Sequence, residues 1–90
     1  MESKTKKKNQ KLPKWFNGDI YPVGETVSNP YTGETADLTA EETSMYDLIK
    51  GIEIVIGMGY KVKPSMVEDF EKSLDWFRKN NAKAYMALLD

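Results

Sequence analysis

The chain contains no cysteine and no histidine. Without cysteine, neither a disulfide nor a zinc–thiolate site can prop up a small core. Without histidine, the commonest general base, the usual zinc ligand and the serine and cysteine triads are all missing. An enzyme would have to work with Asp, Glu, Lys and Tyr alone. The reading is therefore non-enzymatic, with no catalytic, cofactor-binding or metal-ligating residue expected. No apolar run approaches the roughly 18–20 residues that cross a bilayer. The basic N-terminus is followed by no apolar stretch, so it does not read as a secretory signal. A cytoplasmic protein without a membrane partner is the expectation.

What is present fits one small domain, since the chain has 90 residues. Apolar residues make up 40% and charged residues 30%, a balance that suits a globular rather than a disordered chain. At this size only about 60–65% of the unfolded surface is buried on folding, so the core is thin. With no covalent staples, self-association is the usual remaining support. A homo-oligomer is expected, with a homodimer as its simplest form.

The net charge of −1 conceals two opposite segments. Residues 1–14 hold Lys4, Lys6, Lys7, Lys8, Lys11 and Lys14 against Glu2 alone, a net of +5. The remaining seven bases and thirteen acids leave −6. The six lysines are candidate contacts for nucleic-acid phosphate, each able to release a condensed counterion. Compact nucleic-acid readers also carry positive charge on the folded face, whereas here the body is acidic. A solvated leader, or one that folds back on the acidic body, is the favoured reading, and nucleic-acid contact is the alternative.

From Leu12 to Asp37 the chain is punctuated by Pro13, Gly18, Pro22, Gly24, Pro30 and Gly33, which excludes a helix of any length. Asn17-Gly18 is a tight-turn dipeptide, and Asn29 to Gly33 suits a type I turn. Trp15-Phe16, Asp19–Tyr21 and Glu25–Ser28 are rich in β-formers, which predicts one hairpin or a pair of short strands lying on helices. Trp15, Phe16, Ile20, Tyr21, Val23, Val27 and Tyr31 are expected to make that contact. Trp15 and Phe16 could instead stack on single-stranded bases. Anchoring a small core is the better use of two large aromatics.

The second half reads as two amphipathic helices. Thr39-Ala40-Glu41-Glu42 is a capping box, and Met45, Leu48, Ile49, Ile52, Val55 and Ile56 follow on one face. Gly57 and Gly59 stop this helix, and Gly51 lies inside it, either a surface glycine or a place where another backbone approaches. Pro64 suits the first position of the second helix, with Ser65 to Glu68 as an alternative capping box. Its stripe runs Val67, Phe70, Leu74 and Phe77, then Ala84, Tyr85 and Leu88. Asn80-Asn81 marks either a kink or a break before a short third helix, with continuity slightly favoured because no glycine or proline intervenes. Trp76 falls off the stripe and predicts a further layer, either the aromatic segment or a second copy.

Glu68, Asp69, Glu71 and Asp75 on one helix could face Glu41, Glu42 and Glu53 on the other. Bundle metal sites add a Glu-x-x-His element that this chain lacks. A solvated acidic face with Lys72 and Lys79 as partners of Glu68 and Asp75 is favoured. Gly57-Met58-Gly59 ends a helix rather than opening one, so it is no phosphate loop.

The run Trp15 to Pro22, the run Asn29 to Glu34, and the closing runs Leu74 to Lys79 and Ala84 to Met86 resemble a family of small uncharacterised proteins of tailed phages that infect marine bacteria and cyanobacteria. The resemblance covers roughly residues 12–90 and implies a phage or host-associated marine origin, but transfers no activity. The expected architecture is mainly α. Residues 1–11 form a disordered basic arm and residues 12–90 one domain. Within it, 12–37 is an extended aromatic segment with one short hairpin, and helices at 39–59 and 64–89 pack antiparallel. The expected function is that of an interaction protein binding a host or phage protein, in the host cytoplasm if phage-encoded. Trp15, Phe16, Trp76 and Tyr85 are its candidate contact residues.

Overall fold

A computed structural model describes residues 10–89. Lys4, Lys6, Lys7 and Lys8, and most of the expected basic arm, lie outside the described residues. The elements run β1 (Thr26–Ser28), β2 (Thr35–Asp37), α1 (Ala40–Gly57), α2 (Pro64–Asn80) and α3 (Ala82–Leu88). The protein is mainly helical with one small antiparallel sheet.

β1 and β2 pair with Val27 opposite Ala36, flanked by Thr26 with Asp37 and Ser28 with Thr35. The expected turn at Asn29–Gly33 joins them. The Asn29 side-chain oxygen accepts from the Tyr31 N–H (2.8 Å), and the Gly33 N–H donates to the Asn29 carbonyl (2.8 Å). Gly33 has φ +82°, a conformation that favours glycine. The Asn29 amide also donates to the Ala87 carbonyl (3.0 Å), fastening the turn to α3. The returning strand Thr-Ala-Asp was not foreseen, because its one inward residue, Ala36, is too small to signal a strand. Asn17-Gly18 joins no strands: Gly18 instead sits against the Phe16 ring and Leu48, where a Cβ would come within 3.0 Å and 3.3 Å.

Thr39 and Glu42 form the expected capping box at the start of α1. The second one does not form. Pro64 takes the first helical turn of α2, Lys63 is the N-cap and no side chain caps it. The expected helix over 64–89 is divided at Asn81, whose extended backbone (φ −155°, ψ 78°) ends α2 and opens α3. Neither glycine nor proline was needed. The Asn81 side chain accepts from the Ala84 N–H (3.1 Å), replacing the helical bonds lost at the break.

The core gathers Leu38, Met45, Ile49, Phe77, Ala84 and Leu88. Phe77 is wholly buried, with its ring centroid 6.4 Å from that of Tyr46. Burial of such a side chain contributes about 1.5–3 kcal/mol. Trp15, Phe16 and Val27 pack against this core, as expected. Ile20, Val23 and Tyr31 do not: all three are exposed. Tyr21 is half-buried but does not pack on the core either: its backbone N–H donates to Ser44 Oγ (2.9 Å) and its phenol is hydrogen-bonded with Asp47, so polar contacts hold it to α1. Trp76 does have its extra layer, supplied by the chain's own start: its indole N–H donates to the Lys11 carbonyl (3.2 Å).

Candidate interaction surface

The most organised polar cluster surrounds Glu42, a carboxylate with no solvent exposure. Its Oε1 accepts from the Thr39 N–H (3.0 Å) and from Asn81 Nδ2 (3.0 Å). Its Oε2 accepts from Gln10 Nε2 (2.7 Å). The Thr39 hydroxyl accepts from the Glu42 N–H (3.1 Å) and donates to Gln10 Oε1 (2.6 Å). Four residues from three parts of the chain thus satisfy one another in a closed knot. Its donors are spent on internal acceptors, so the knot is scaffold: it fixes α1, the N-terminal segment and the α2–α3 break together. Gln10 and Lys11 therefore belong to the folded body, although the sequence places the domain's start at residue 12.

The opposite end of α1 inverts this pattern. Ile54, Ile56, Met58, Tyr60 and Val67 are all exposed, with Ile54, Met58 and Tyr60 each above 60%. Every residue from Ile56 to Lys61 is open to solvent. Ile56 continues the core stripe of Met45, Ile49 and Ile52, but the stripe has run past what α2 can cover. Gly59, with φ +82° and nothing near its absent Cβ, turns the chain towards α2. Among the described residues this is the densest run of exposed large apolar side chains.

Two depressions accompany these ends. A shallow groove of about 290 Å³ runs beside α1, floored by Leu48, Gly51, Ile52, Val55 and Met66 and rimmed by Asp19 and Asp47. A Cβ on Gly51 would meet nothing within 4 Å. A wider hollow of about 660 Å³ lies between β2 and α3, where Ala36, Ala84, Met86 and Ala87 line it with Lys83 at its edge. None of its lining residues is aromatic.

Electrostatics on the outer surfaces are those of paired, solvated side chains. Hydrogen bonds from Lys79 and Arg78 hold the Asp75 carboxyl below its ordinary pKa. A hydrogen bond with Asp47 pushes the Tyr21 phenol above its usual value. Lys72 lies over the Trp15 ring at 5.6 Å, a cation–π contact rather than the expected pairing with Glu68. Among the described residues no group of three or more acidic side chains is gathered to hold a metal ion.

The residues that sequence reasoning singled out for contact are mostly engaged within the chain. Trp15, Phe16, Trp76 and Tyr85 are half-buried and packed on the core rather than presented together. Lys11 and Lys14 are exposed. The sequence offers Gly51 as either a surface glycine or a place of close backbone approach, but it does not single out the hairpin end. The signal for the latter was there: Ile56-Gly57-Met58-Gly59-Tyr60 continues apolar beyond a helix stop. Comparison of the chain with protein-family models, with curated proteins and with solved structures finds no match.

Proposed function

We propose that this chain is a non-enzymatic interaction protein that works as a homodimer and engages a protein partner. The observation that supports this reading is the groove beside Gly51. A glycine in a helix interior costs about 1 kcal/mol relative to alanine. Here it leaves an open notch on an apolar floor, so a second helix can approach closely. Two copies related by a twofold axis would present the same face to each other. The resemblance to marine phage proteins implies action within an infected cell. The alternative, nucleic-acid contact through Lys4, Lys6, Lys7, Lys8, Lys11 and Lys14, draws its support from the separation of charge between residues 1–14 and the acidic body.

Light-scattering mass of the full chain and of Gly51→Gln tests the homodimer. A Cβ at this position meets nothing within 4 Å and glutamine favours a helix over glycine, so the fold persists while the notch fills. The natural chain is expected at twice its own mass and the variant at one. A natural chain that stays monomeric at every concentration defeats the homodimer, and a dimeric variant removes the groove from it.

A further inference from the structure

We propose that the free end of the α1–α2 hairpin, from Ile54 to Val67, seats in the headgroup boundary of an anionic lipid bilayer. This surface adjoins the Gly51 notch, sharing Val55 and Met66 with it, but its exposed apolar residues Ile54, Ile56, Met58, Tyr60 and Val67 lie outside the groove, and it stands without the homodimer. Among the described residues no helix is long and apolar enough to cross a membrane, so the contact is one of lying on the surface.

Three observations combine. The exposed side chains are of the kind that enters the acyl boundary: Ile54, Ile56, Met58 and Val67, with the amphipathic ring of Tyr60 suited to the headgroup level. The only charged residues in the segment are Lys61 and Lys63, both exposed. Their stems can lie along the apolar patch while the ammonium groups reach lipid phosphates. The rest of residues 15–90 carries thirteen acids against five bases. Within residues 15–90 the charge outside this end is therefore net negative, which favours approach to an anionic surface through this end and leaves the lysines of residues 1–14 as the competing basic site.

A second copy fits the same end poorly. Two such ends meeting would bring four lysines together with no acid from either segment. The segment is also only fourteen residues long, against about 20–30 residues a side in a stable protein interface.

Because the chain has no native cysteine, Met58→Cys can carry an environment-sensitive fluorophore at one defined place in the full-length protein. The labelled chain is mixed with phosphatidylcholine vesicles and with vesicles enriched in phosphatidylserine, at low and moderate salt. The emission is expected to shift to the blue with the anionic vesicles and to lose that shift as salt rises. In co-sedimentation of unlabelled protein, Met58→Asp with Tyr60→Asp, and separately Lys61→Glu with Lys63→Glu, should each weaken binding about tenfold or more. Both variants should melt as the natural chain does, since the altered side chains are exposed. Gly51→Gln should bind lipid undiminished, which keeps failure of the homodimer distinct from failure here. Undiminished sedimentation of Met58→Asp with Tyr60→Asp would assign lipid binding to the N-terminal lysines and overturn the proposal. So would an absence of binding at low salt, or a blue shift without vesicles that grows with protein concentration, the mark of a second copy.

Discussion

The two ends of α1 differ in a way that runs against simple hydropathy. At its start a glutamate, two threonines and a serine are buried; at its finish isoleucine, methionine and tyrosine stand in water. The start tolerates burial because nearly every polar atom there has a partner inside the protein, and a satisfied polar group carries little desolvation penalty. The finish is exposed because the partner helix stops short of it. Buried polar groups and exposed apolar side chains are thus separated along one helix.

The strongest challenge to that contrast is Glu42→Ala. It strips the acceptors from the buried Thr39 N–H and from the half-buried Gln10 Nε2 and Asn81 Nδ2, and removes half of a capping box. A loss of about 3 kcal/mol is expected in denaturant unfolding. A loss below about 1 kcal/mol would show that the polar end does not govern stability. Gly24→Ala probes the same end by steric means. Its Cβ would lie 1.9 Å from the Leu38 carbonyl oxygen, so the backbone leading into β1 must move. About 2 kcal/mol should be lost, read as a lower melting temperature. Thr43→Val sharpens the comparison with the smallest effect. The Thr43 hydroxyl oxygen is buried without a partner, and valine has nearly the same shape. A gain of about 0.5 kcal/mol in chemical unfolding would show that satisfaction, rather than polarity, decides what may be buried there.

The helices were legible because their signals are local. Thr39 and Glu42 stand three residues apart, Pro64 fixes its own φ, and the apolar stripes repeat within a few residues. The break at Asn81 was open in the sequence and leaned the other way, because its cause is distant. The asparagine amide reaches Glu42, 39 residues earlier, and nothing in its neighbours reveals that pairing. β2 was missed for want of a large inward side chain. Aromatic residues are the usual interface anchors, but a chain this small also uses Trp15, Phe16 and Trp76 for its own packing, and the sequence does not separate the two uses. Exposure at Ile54 to Tyr60 depends on where α2 begins and which residues it covers, a matter of tertiary packing rather than periodicity.

The knot at Glu42 also bears on how the protein is made. A ribosome makes Gln10 32 residues before Glu42 and Asn81 39 residues after it, yet all three hydrogen-bond through one carboxylate. No nascent chain that has yet to reach Asn81 can close it. Closure of the knot during synthesis must therefore wait for Asn81, and a message truncated before it would yield a product with this fastening undone.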